Sequence, residues 1–250
     1  MLIHPTIEKL ENLRLGGMAM ALKEQQNMDL DNLSFEERLG LLVDRETVER
    51  DNRRLKTRLR QARLRHHACI EDIDFKQPRG LDKPLIMRLA ECSWLHRHQN
   101  MIITGPTGAG KSYLACAFAQ KACRSGYTAS YQRMPRLFEE ISLAKGDGRY
   151  VKLMAGLAKV DLLVLDDFGL QPLNQEQRHD LLEILEDRYQ LRSTLVASQL
   201  PHEHWHEQIG DPTLADAILD RLIHNAHIMQ LKGGSMRKAN ADLTALNQEE

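Results

Sequence analysis

Apolar residues recur on two different periods along the chain, and the change of period divides it. Through about residue 66 they recur at steps of three and four. Between residues 6 and 26, Ile7, Leu10, Leu13, Met18 and Leu22 mark a helical stripe interrupted at Gly16-Gly17. Ser34 and Glu37 have the spacing of a capping box, so a helix is expected to start there and to turn Leu39, Leu42 and Val43 inward. A further helical segment is expected through Leu55, Leu59 and Ala62.

From Leu81 onward, short apolar runs alternate with helical spacing. The pattern predicts helices over 85–94, 111–124, 136–144, 176–190 and 214–225. It predicts strands over 100–104, 128–132, 160–166, 193–198 and 226–231. Strands alternating with helices imply βαβ units and a parallel sheet covered on both faces. The expected organisation is a small all-helical domain at 1–66, a linker at 67–80, an α/β domain at 81–238 and a polar tail at 239–250.

Composition narrows the class. The 250 residues are 42% hydrophobic, enough for a core, which argues against wholesale disorder. Aromatics at 5% argue against a β-sandwich or an aromatic-rich carbohydrate binder. No apolar run approaches the roughly 18–20 residues needed to span a bilayer, and the first residues lack a signal-peptide core. Cys69, Cys92, Cys116 and Cys123 show no CxxC spacing and read as small hydrophobes in a reducing compartment. A cytoplasmic protein without membrane partners is expected.

The formal net charge of -1 conceals a local excess. Arg53, Arg54, Lys56, Arg58, Arg60, Arg63 and Arg65 place seven cations in thirteen residues, and no acid occurs from Asn52 through Ile70. On a helix, Arg53, Lys56, Arg60 and Arg63 would share one face. Such a stripe neutralises phosphates and predicts salt-sensitive binding to duplex DNA through its backbone. No aromatics interleave with it, which disfavours base stacking on single strands.

The sharpest chemical signal is Gly105-Pro106-Thr107-Gly108-Ala109-Gly110-Lys111-Ser112, which fits GxxxxGK[ST] at every position. The glycines let successive N–H groups face phosphate oxygens, and the helix opening at Lys111, Ser112 and Tyr113 adds its positive end. Lys111 can reach the β- and γ-phosphates, and the Ser112 hydroxyl can ligate Mg²⁺. The apolar strand ending in Asp166 and Asp167 would bring two carboxylates to the same sheet edge. Asp166 would hold Mg²⁺ through its water shell, and Asp167 would polarise the attacking water. A third strand ends in Ser198 and Gln199, placing an amide near the γ-phosphate. Arg221 and Arg237 are candidates to offset transition-state charge. His202, His204 and His206 alternate in one loop, without the convergent fourth ligand that a metal site needs.

Together the phosphate loop, LLVLDDFG (162–169), LEDRYQLRSTLVASQLP (185–201), IGDPTLADAILDRLIHNAHIMQLKGGSMRK (209–238) and the basic helix ETVERDNRRLKTRLRQARL (46–64) resemble the IstB family. These are AAA+ ATPase helpers of insertion-sequence transposition, similar to the helicase loader DnaC and more distantly to DnaA. The resemblance implies an AAA+ P-loop NTPase core with a parallel five-stranded sheet, and ATP and Mg²⁺ as ligands. Lys111 and Ser112 match the Walker A residues, Asp166 the Walker B acid, and Asp167 the position where most AAA+ proteins carry glutamate. Gln199 matches sensor 1, Arg221 the arginine that reaches a neighbour's ATP site, and Arg237 sensor 2. The implied partners are a transposase, duplex DNA and further copies of the chain, with ATP sites between subunits, in a bacterial cytoplasm at the nucleoid. The leading function is an ATP-dependent assembly that remodels target DNA for a transposase. The alternative is a DnaC-like replicative helicase loader. A P-loop metabolic kinase is disfavoured, because nothing points to a small-molecule acceptor pocket.

Overall fold

The computed structural model describes residues 5–28 and 32–236. It divides into two compact units, Met1–Thr57 and Arg58–Glu250, with the boundary inside one long helix. Arg237 and the polar tail lie outside the described residues.

The first unit holds α1 (Pro5–Asn12), α2 (Gly16–Gln25) and most of α3 (Phe35–Ala62). Ser34 and Glu37 form the reciprocal capping box: the Ser34 N–H donates to Glu37 Oε2 at 2.8 Å, and Glu37 N–H to Ser34 Oγ at 3.2 Å. The two helical segments expected here form a single 28-residue helix. Leu39 and Val43 do not turn inward; they are 41% and 49% exposed. The reason is the way α2 meets α3. A Cβ on Gly17 would come within 2.7 Å of Glu46 Cα, so the two helices touch through a glycine and not through the leucine stripe. The buried Glu46 carboxylate accepts the N–H groups of Gly17 (2.7 Å) and Met18 (3.2 Å) at the start of α2. It also accepts the Arg50 guanidinium at 2.6 Å. These donors, Arg50 first, hold Glu46 below the usual glutamate range.

The second unit contains a five-stranded parallel sheet ordered β2-β3-β4-β1-β5. Its strands are β1 (Asn100–Thr104), β2 (Ala129–Arg133), β3 (Leu162–Phe168), β4 (Ser193–Ser198) and β5 (Ala226–Gln230). The helices are α4 (Lys83–Leu89), α5 (Ser93–His96), α6 (Lys111–Arg124), α7 (Met134–Asp147), α8 (Tyr150–Lys159), α9 (Gln175–Arg188), α10 (Trp205–Ile209) and α11 (Pro212–Ile223). The helix expected over 85–94 is broken at Cys92, which takes a left-handed conformation.

Strand periodicity sorts the core. Ile102, Leu163, Leu165 and Val196 join a buried cluster with residues of α7 to α11, including Leu137, Ile184, Trp205 and Ile218. Met101, Ile103, Leu162, Val164 and Leu195 are also buried, and α6 lies against β2, β3 and β4. Fully covered strands explain why β3 reads as an unbroken apolar run. Asn100 ties the amino ends of β1 and β4 to the carboxyl end of α11. Its Oδ1 accepts the Thr194 N–H at 2.9 Å, and its Nδ2 donates to the carbonyls of Arg221 (2.8 Å) and Leu222 (3.2 Å). Arg188, 1% exposed, gathers the carbonyls of Leu157 (2.6 Å) and Val160 (2.8 Å) at the end of α8, and that of Ser193. Burial pushes this guanidinium down to about 9.

Candidate functional site

The carboxyl end of β1 runs directly into the phosphate loop, whose backbone requires its glycines. Gly105, Gly108 and Gly110 have φ of 148°, 82° and 97°. Added Cβ atoms would also collide: with Leu231 O at 2.6 Å for Gly105, with Ser235 for Gly108, and with Arg79 Nη1 at 2.7 Å for Gly110. The loop is pinned from outside by Leu231 N–H to Thr104 O (2.7 Å) and Met236 N–H to Gly108 O (2.9 Å). Lys111 is nearly buried, and its ammonium donates to Pro106 O at 2.9 Å.

A cavity of about 460 Å³ opens over this loop, lined by Thr107, Gly108, Gly110, Lys111, Ser112 and Tyr113. From the other strands, Asp167 and Gln199 join the lining, and Thr107 donates to Gln199 Oε1 at 2.6 Å. The sequence-predicted phosphate residues and the sensor-strand amide therefore meet in one place. The two aspartates behave differently. Asp166 is 1% exposed and does not line the cavity; its Oδ1 accepts the Asp167 N–H (2.9 Å) and its Oδ2 accepts the Tyr131 hydroxyl. Burial first, and this carboxylate second, push the Tyr131 phenol well above its ordinary range. Asp167 has φ 61° where the β3–β4 register slips between Leu165 and Phe168, and that irregularity turns it to the cavity. Its Oδ2 accepts Arg133 Nε at 2.8 Å, which raises the Arg133 guanidinium.

The far wall comes from residues that sequence reasoning assigned elsewhere. Arg65, counted with the DNA stripe, lines this cavity together with His66, Asp72, Asp74 and Arg79. Arg79 is 8% exposed and donates to Ala109 O (3.2 Å) and Asp74 O (2.6 Å), while its buried Nε has no partner. Burial lowers its guanidinium. The expected linker thus braces the phosphate loop. No periodicity marks residues 67–80; the one local sign is Pro78-Arg79-Gly80, a turn-forming stretch around a cation.

Other predicted residues stand apart. Arg221 sits on α11, where its carbonyl meets Asn100 at the amino end of β1, the end opposite the phosphate loop. Its guanidinium pairs with Glu186, donates to Ala217 O at 2.8 Å and lies over the Tyr189 ring at 5.8 Å. Along the basic run, Arg53 faces Glu49 (3.8 Å) and Arg54 faces Asp51 (3.6 Å), so these cations do have acidic neighbours one turn back. Arg58 donates to Cys123 O at 3.4 Å, and Lys56 and Arg60 are exposed. Arg63 lies past the helix end with φ 50° and does not continue the expected face. His202 pairs with Glu203, and His206 with Asp216.

The site fits a nucleoside triphosphate with a hard cation. Its three glycines form a cradle that side chains would fill, a lysine stands at its floor, and the Ser112 hydroxyl and Asp167 carboxylate on its lining, with Asp166 buried beside Asp167, are oxygen donors of the kind Mg²⁺ prefers. Among the described residues, no helix is long and apolar enough to cross a membrane.

The sheet order, the loop and the acids near the end of β3 define an AAA+ P-loop fold. Solved structures share it. DnaI superposes with a TM-score of 0.58 at 20% identity, covering 70% of this chain and 93% of that one. DnaA from Aquifex aeolicus, bound to AMPPCP, gives 0.57 at 17% identity, covering 74% and 57%. The chain belongs to the IstB-like ATP binding protein family, which matches residues 8–244. Among its relatives, a protein of Sinorhizobium fredii named for insertion-sequence ATP binding is 55% identical over 239 residues, covering 95% of this chain and 98% of that one. The ATP-binding protein named for insertion sequence IS1162 of Pseudomonas fluorescens is 49% identical, covering 80% and 88%.

Proposed function

We propose that this chain is an ATP-hydrolysing regulator of transposition that assembles on duplex DNA, remodels it for a transposase and lets go when ATP is spent. The observation that carries the ATP part is the meeting of Lys111, Ser112, Asp167 and Gln199 around one cavity. Transposition is supported by relatives named for insertion sequences. The likeness to DnaI and DnaC is one of fold, and supplies no independent support for helicase loading.

In this reading the 105–112 loop and Lys111 bind the triphosphate. Ser112 and Asp166 would hold Mg²⁺, which when bound supplies positive charge to the phosphate oxygens. Asp167 leaves Arg133 and accepts a proton as water oxygen bonds to the γ-phosphorus. The bond from that phosphorus to the bridging oxygen breaks, giving ADP and phosphate. Gln199 orients the water. Arg221 acts on a neighbouring chain's site, since it is rooted at the wrong end of β1 to serve its own. Sites shared between copies explain why assembly and hydrolysis would be linked. Arg53, Arg54, Lys56, Arg58 and Arg60 contact the DNA backbone, and Arg237 senses the nucleotide.

The test is electron microscopy and affinity measurement with ATP on duplex and on single-stranded DNA. Ordered, ATP-dependent assemblies on duplex DNA are expected, lost in Lys111→Ala together with ATP binding. A Lys111→Ala protein that binds ATP normally overturns the site. Assembly on single strands alone overturns the duplex reading in favour of a loader.

A further inference from the structure

Tyr131 stands on β2, an edge strand, and is 7% exposed. Its hydroxyl contacts the Asp166 carboxylate, with the Arg65 guanidinium nearby. The Arg65 guanidinium can only donate, and an ionised Asp166 can only accept. The Tyr131 O–H donates to Asp166 Oδ2, and the Arg65 guanidinium stands near the phenol oxygen. The other oxygen, Oδ1, is fixed by the Asp167 N–H at 2.9 Å. The carboxylate is held in one orientation by two donors, from strand β2 and from its own backbone neighbour.

We propose that Tyr131 is a positioning residue for the divalent cation, aligning the Asp166 carboxylate, and that Arg65 holds Tyr131 in its donating orientation. The proposal rests on the reading of Asp166 as a Mg²⁺ acid. Groups that hydrogen-bond a ligating carboxylate typically change metal affinity by about 10–100-fold when removed. A phenylalanine at 131 keeps the ring that packs in the core and deletes only the donor. A carboxylate without it loses one of its two anchors. Arg65 is exposed at the cavity wall, so its removal acts through the tyrosine and should have the smaller effect in the same direction.

The experiment measures binding and not turnover. Affinity for a fluorescent non-hydrolysable ATP analogue is followed as Mg²⁺ is titrated, for wild type, Tyr131→Phe, Arg65→Ala and Asp166→Asn. In Tyr131→Phe the metal-free affinity stays at the wild-type value, while the half-saturating Mg²⁺ concentration rises about 10-fold. Arg65→Ala shifts it less. A Tyr131→Phe titration that overlays wild type overturns the proposal when Asp166→Asn is shifted. If Asp166→Asn also overlays wild type, the assignment of Asp166 itself has failed. Equal losses with and without Mg²⁺ in Tyr131→Phe overturn positioning in favour of packing.

Discussion

Replacing Arg133 by alanine should raise basal ATP hydrolysis. Arg133 Nε sits 2.8 Å from Asp167 Oδ2, and the two side chains are 36% and 16% exposed. While paired, Asp167 has an oxygen committed to the guanidinium and unavailable to a water. A bidentate buried pair would be worth several kcal/mol, but this one is single-pronged and partly solvated, so about 1 kcal/mol is the appropriate scale. That energy corresponds to a factor of about five in the population of unpaired Asp167. Single-turnover hydrolysis without DNA should accordingly rise about fivefold in Arg133→Ala, with nucleotide affinity unchanged. The pair is charge-dependent, and Arg133 is held above its ordinary range, so salt and not mild pH change loosens it. The gap between wild type and variant should narrow as ionic strength rises. Unchanged or slower hydrolysis in Arg133→Ala, with binding intact, would refute the idea that this pair restrains the water-activating acid.

Two further outcomes follow from the other unit and the basic run. Glu46→Gln should cost about 1–3 kcal/mol of stability at pH 7, because three donors lose a charged acceptor. Glu46 is held below its ordinary value, so its contribution is present above about pH 4.3 and is lost as pH falls through the folded-state value. Thermal melts of wild type and variant should differ at pH 7, and the gap should narrow progressively as pH falls below about 4.3; a gap that does not change with falling pH contradicts the linkage. Replacing Arg53, Lys56 and Arg60 with alanine should weaken duplex binding and flatten its salt slope by about 0.9 for each phosphate no longer neutralised. An unchanged slope removes the basic run from the DNA surface.

The sheet is legible in the sequence because its strands are short apolar runs with polar ends. The expected bounds of β1, α6 and β4 match the structure, since each is set by local chemistry: a glycine loop, a helix opening at lysine, a polar residue after six buried ones. The pattern does not predict α8, because Tyr150–Lys159 follows α7 after a left-handed Gly148 and its short stretch reads as a connection to β3. Leu39 and Val43 mislead for the opposite reason. Their spacing is helical, but α3 meets α2 through Gly17 and Glu46. At the site, the motif residues carry their own signature, whereas Arg79, Tyr131 and Arg133 act through contacts with residues 30 to 35 positions away. Spacing along the chain holds no trace of such pairs.

If each ATP site is completed by an arginine from another copy of the chain, two inactive variants should rescue one another. Asp167→Asn and Arg221→Ala proteins, each able to bind ATP and each inactive alone, can be mixed in equal amounts on duplex DNA and assayed for phosphate release. In a head-to-tail assembly about a quarter of the interfaces pair an intact Asp167 with an intact Arg221, so about a quarter of wild-type activity should return. A mixture as inactive as its components contradicts a site shared between copies.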